Sequence, residues 1–70
     1  MNLILSNHAK KRLIERNIKI EDVKTAIEFP DYTISKGNKR EAYKRIKGKV
    51  LKVVYFEEDK YIKVITLIWK

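Results

Sequence analysis

The stretch Val23-Lys24-Thr25-Ala26-Ile27-Glu28-Phe29-Pro30-Asp31-Tyr32-Thr33-Ile34-Ser35 decides the fold, because the spacing of apolar residues changes inside it. Val23, Ala26 and Ile27 fall three and four apart, as along one face of a helix, whereas Tyr32 to Ser35 is β-branched and aromatic. Pro30 stands at the change. Its ring disfavours helical geometry in the residue before it, so no helix continues past Phe29.

Upstream of this point, Ser6 to Phe29 keeps the helical period through Ala9, Leu13 and Ile14. Ser6 or Asn7 is suited to cap a first helix, and Asn17, followed by the apolar Ile18, to end it in a left-handed turn. Glu21 and Asp22 suit the positive start of a second helix. Downstream, Tyr32 to Ser35, Arg40 to Lys47, Val50 to Phe56 and Tyr61 to Trp69 read as strands joined by turns at Gly37-Asn38, around Gly48 and at Glu58-Asp59. The expectation is one α+β domain over residues 1–70, with two N-terminal helices packed on one face of a four-stranded antiparallel meander. Asn2 to Leu5 has room for a short edge strand, but too few residues to carry a readable period.

Facing residues of a hairpin share a side of the sheet. With Glu58-Asp59 as a two-residue turn, Tyr55 faces Ile62, Val53 faces Val64 and Leu51 faces Thr66. Ala42, Lys44 and Ile46 join this helix-covered side. The other side then carries Tyr43, Arg45, Val50, Lys52, Val54, Phe56, Tyr61, Lys63, Ile65, Leu67 and Trp69. Such an apolar and basic face is expected to be covered by a second copy or by a partner protein.

The chain has 70 residues, no cysteine, and 17 Lys+Arg against 9 Asp+Glu, a net charge of +8. Without cysteine there is neither a disulfide framework nor a Cys-type zinc site, which suits a cytoplasmic setting. The opening has a run of three apolar residues, where a signal peptide needs about 7–15 and a membrane span ~20. No Gly-rich phosphate loop or Ser-centred elbow is present, and one His without clustered carboxylates does not make a transition-metal site. No cofactor and no metal are therefore expected. The charge excess draws polyanions, and residues 30–49 hold seven bases and two acids. Arg40, Lys44, Arg45, Lys52 and Lys63, with Tyr43 as a stacking ring, form the candidate nucleic-acid-binding set, and Lys11 on the first helix extends it. A solvated hairpin whose lysines guard a sheet edge is the plainer alternative. His8, Arg12 and Arg16, spaced four apart, lie in one stripe beside Ala9 and Leu13 on the first helix. His8 is the only histidine and the side chain best suited to exchange a proton near neutrality.

The string Ser6-Asn7-His8-Ala9-Lys10-Lys11-Arg12-Leu13-Ile14-Glu15-Arg16-Asn17-Ile18 resembles the S-x-H-A-x-x-R-[LM]-x-x-R-x-I opening of a family of small domains similar to the BrnT and RelE toxins. Asn17 stands where that pattern usually has Gly, and Lys19 where it has a capping Ser. The resemblance implies a RelE-like fold and a toxin-like endoribonuclease that cleaves RNA without metal, the ribose 2′-hydroxyl attacking the neighbouring phosphate. It further implies His8 as the proton-transfer group, Arg12 and Arg16 as cations for the phosphate, and Thr66 as the polar residue of the last strand. Expected partners are RNA, free or on a ribosome, and an antitoxin protein. Each role has a structural alternative: Arg16 pairing with a carboxylate, Thr66 a strand former facing the core. A non-catalytic nucleic-acid-binding module, or a domain masked by its partner, remains the other functional expectation.

Overall fold

The computed structural model describes residues 2–70. Its elements, in chain order, are β1 (Leu3–Leu5), α1 (Asn7–Glu15), α2 (Ile20–Glu28), β2 (Tyr32–Lys36), β3 (Lys39–Ile46), β4 (Lys49–Glu57) and β5 (Ile62–Trp69). The α+β class and the two N-terminal helices are as expected. The sheet differs: it has five strands in the order β1-β5-β4-β3-β2, and β1 runs parallel to β5, with Ile4 opposite Lys63. The four-stranded antiparallel meander is thus corrected to a mixed sheet whose first strand is too short to announce itself by alternation. No helix among the described residues is long and apolar enough to cross a membrane.

Local chemistry sets both helix boundaries. The Ser6 hydroxyl accepts from the Ala9 amide at 3.0 Å, satisfying one of the free amides at the start of α1. At the other end Asn17 sits at φ 52°, Ile18 N–H donates to the Leu13 carbonyl at 2.9 Å, and Asn17 N–H donates to that of Ile14 at 3.2 Å. This pair of back-bonds closes a helix on a left-handed residue and drops the next apolar side chain onto the core. Ile18 is accordingly buried. In the β3–β4 turn, Lys47 and Gly48 both have positive φ and Ile46 faces Lys49, so Lys47-Gly48 is the two-residue turn, as in a type I′ hairpin.

The core lies between the helices and one side of the sheet. Ala9, Ile18, Val23 and Ala26 pack there against Ala42, Leu51, Val53, Tyr55, Val64 and Leu67. The β4–β5 pairing departs from expectation in two ways. Its loop is longer, for Glu57 faces Ile62 and Tyr55 faces Val64, with Glu58 N–H donating to the Tyr61 carbonyl at 2.9 Å. A bulge at Ile65 then shifts the register, so that Val54 faces Thr66, Val53 faces Leu67 and Leu51 faces Trp69. One extra residue exchanges the two sides of a strand beyond it. Leu67 and Trp69, expected on the open side, therefore lie on the helix side, while Thr66, expected opposite Leu51, lies on the open side.

Asp31 fastens the start of β2. Its carboxylate accepts from the Arg45 amide at 2.8 Å and lies 3.4 Å from Lys44 Nζ, while its own N–H donates to the Tyr43 carbonyl at 2.8 Å. The Arg45 hydrogen bond foremost, with help from the Lys44 charge, holds the Asp31 carboxyl below its usual 3.8. A depressed carboxyl stabilises the fold above its unfolded pKa and loses that contribution as pH falls through the folded value. An NMR titration of Asp31 is expected to give a midpoint below 3.8, and Asp31→Asn to reduce the acid-side slope of stability. A midpoint above 3.8 would refute the contact.

Candidate functional site

Two motif residues, Ser6 and Arg16, reach the edge of β5. Where β1 ends, the outer edge of β5 loses its strand partner, and α1 takes over through side chains. The Ser6 hydroxyl donates to the Ile65 carbonyl at 3.0 Å, the Arg16 guanidinium donates to the Leu67 carbonyl, and the Trp69 indole N–H donates back to the Arg16 carbonyl at 2.9 Å. Free strand-edge carbonyls are satisfied in this way without a further strand. Ser6 and Arg16 are thus fasteners, and Ala9 and Ile18 are core. Arg12, half-buried, makes an ion pair with Glu15 one turn along α1.

His8 is the motif residue that packing does not explain. It is exposed in the first turn of α1 and, among the described residues, has no hydrogen-bond partner. Lys11 is exposed nearby on the same helix. The anchor of Ser6 on Ile65 brings the start of α1 to the residue that precedes Thr66, but Thr66 projects from the opposite side of the sheet, level with Val54. His8, Arg12, Arg16 and Thr66 line none of three hollows in the described surface. The structure brings Arg16 to β5 and leaves the four without a common cleft.

The open side of the sheet is arranged in rows. Lys63, Phe56, Lys39 and Lys36 stand side by side across four strands; next come Thr66, Val54, Glu41 and Ile34; then Ile68, Lys52, Tyr43 and Tyr32; and finally Val50 and Arg45. Five bases share this side with one acid, Glu41. That acid is buried at 7% exposure, accepting from the Tyr43 hydroxyl at 3.2 Å with Lys52 Nζ 3.8 Å away. Tyr43 does not offer a free ring: Tyr32 stacks on it at 4.5 Å between centroids, and Lys52 Nζ lies over it at 5.7 Å. The ring open to solvent is Tyr32, 55% exposed. The Gly37-Asn38 turn already places Tyr32 opposite Tyr43, so the hairpin register carried the signal for Tyr32, Lys36 and Lys39 that composition alone did not. Of the remaining expected set, Arg45 and Lys63 are on this side, whereas Arg40 and Lys44 face the helices. Arg40 donates to the Gly37 carbonyl at 3.1 Å and Lys44 is engaged by Asp31.

A small α+β domain with one helix-covered sheet face and one basic, aromatic face is the class that this geometry defines. Residues 5–69 match the family model described as a domain of unknown function, DUF4258. The chain belongs to that family. No curated protein matches it, and no solved structure does.

Proposed function

We propose that the chain is an RNA-directed protein that binds single-stranded RNA across the open face of its sheet. One observation carries the reading: Lys36, Lys39, Arg45 and Lys63, unpaired by any acid among the described residues, share the open side of the sheet with the exposed ring of Tyr32. Ammonium and guanidinium groups hold the phosphates and release their counterions, and a base stacks on the tyrosine. Four such contacts imply a salt slope of about −3 in log affinity against log salt, at ~0.7 for each phosphate on single strands. Fluorescence anisotropy of a labelled oligoribonucleotide measures it. Replacing Arg45 and Lys63 with Gln is expected to reduce the slope by about 1.4. A slope that is flat, or unchanged by the double variant, refutes this face.

Cleavage is the second reading, favoured by the exposed, unpartnered His8 within a motif whose other positions are taken up by capping, packing and ion pairing. It fits a metal-independent, toxin-like endoribonuclease with a RelE-like arrangement of helices and strands and an antitoxin partner. In this chemistry His8 moves the proton and Arg12, released from Glu15, meets the phosphate charge. Incubation with RNA in EDTA, with and without ribosomes, tests it. Cleavage lost in His8→Ala with binding retained is the expected result, and intact RNA in both arms refutes it.

A further inference from the structure

At the end of the molecule away from the start of α1, the turn between the helices, the β3–β4 turn and the end of β5 enclose a hollow of about 240 Å³. Lys19, Asp22, Lys47, Lys49 and Trp69 are among its lining residues. The volume lies below the ~300–1,000 Å³ of sites that enclose a whole drug-sized ligand, so the hollow takes one planar group and leaves the rest of its ligand outside. None of the four charged side chains makes an ion pair among the described residues. Three lysines and one aspartate thus line the hollow beside Trp69 without an ion-pair partner in the fold. Lys49 Nζ lies over that indole, 5.8 Å from the ring centroid. The ring face is therefore within reach of a flexible, solvated side chain and not sealed by the core.

We propose that this hollow holds one unpaired guanine nucleotide of an RNA strand. The assignment rests on the RNA-directed reading and deepens it with a base-specific site on a different part of the surface. A base stacks on Trp69 as Lys49 swings from the ring to the phosphate, where Lys19 and Lys47 add their charges. Asp22 selects the base. A carboxylate only accepts hydrogen bonds, and guanine offers it two adjacent donors, N1–H and the N2 amino group. Adenine and cytosine offer one amino group and uracil one N3–H, so each leaves a carboxylate oxygen unmatched.

Trp69 is the only tryptophan, so its indole N–H is a single isolated signal in a ¹H–¹⁵N spectrum. Titration of the whole chain with guanosine, adenosine and uridine 5′-monophosphates and with inorganic phosphate reads the site directly. The expected result is a saturable shift, with the guanosine nucleotide about tenfold or more tighter than the uridine one and inorganic phosphate weaker than both. Asp22→Asn is expected to abolish the guanosine preference, and Lys49→Ala to weaken every nucleotide. The rest of the spectrum reports whether each variant is folded. An unmoved indole signal, phosphate binding as tight as the guanosine nucleotide, or a preference that survives Asp22→Asn overturns the assignment. A salt slope that falls in the Arg45/Lys63 variant beside an unmoved indole would sink this site alone. A wild-type slope that is flat, or that the Arg45/Lys63 variant leaves unchanged, beside an intact indole response would sink the open-face reading alone.

Discussion

Leu67→Ala is expected to destabilise the fold by about 2–5 kcal/mol, while Thr66→Ala, one residue earlier, costs well under that. Leu67 is fully buried, among the largest side chains in the core, and its loss leaves a cavity beneath α1 that a chain of 70 residues has little spare packing to refill. Thr66 stands half-exposed on the other side of the sheet. The contrast between the neighbours depends on the bulge at Ile65, since an unbulged β5 places Thr66 against the helices and Leu67 outside. Urea denaturation of the two variants measures it. Equal costs, or a larger cost for Thr66, would contradict the register.

Arg16→Ala is expected to cost about 1.5–3 kcal/mol, the range for hydrogen bonds made by charged groups. Its guanidinium satisfies the Leu67 carbonyl on an edge that has no strand beside it, and its own carbonyl is tied to Trp69. The Arg16→Lys variant should recover only part of the loss, because an ammonium on a flexible stem lacks the planar fork that spans helix and strand. A residue reserved for phosphate would behave differently, leaving stability unchanged while weakening RNA binding. Melting curves and binding assays on the same variant therefore separate the fastener from the ligand contact.

The amino-acid pattern disclosed both helices, the αL closure at Asn17, the stop at Pro30 and the four hairpin strands, because each is written in local chemistry within a few residues. The side that the second half of β5 presents was not written locally. A bulge is an excess of one residue over the partner strand, and Ile62 to Trp69 is apolar enough to satisfy either side of a sheet, so hydrophobic pattern alone did not fix which side Leu67 and Trp69 take. The parallel strand Leu3–Leu5 was hidden for another reason: its partner lies at the far end of the chain. At the site, the stripe of His8, Arg12 and Arg16 was visible as spacing, but spacing on a helix does not reveal what each side chain meets. Arg16 meets a backbone carbonyl and Arg12 a neighbouring acid, while His8 meets no hydrogen-bond partner among the described residues. Likewise Tyr43 was legible as an aromatic among bases, yet only the facing pair shows that Tyr32 shields it and inherits the open ring.

The pairing of Leu3–Leu5 with Ile62–Val64 also orders events in time. These three-residue partners are joined by a loop of almost the whole chain, so the entropy of closing it is met only once the hairpins already hold β5 in place. Strand β1 and the α1 helix it introduces are then the last segment to dock and the first to lift away, and amide exchange at Leu3 to Leu13 should be faster than in β3 and β4. When that segment lifts, the Ile65 and Leu67 carbonyls are uncovered together and His8 leaves with them. The motif at the head of the chain is thus a clasp whose opening exposes a sheet edge and removes the histidine in one movement.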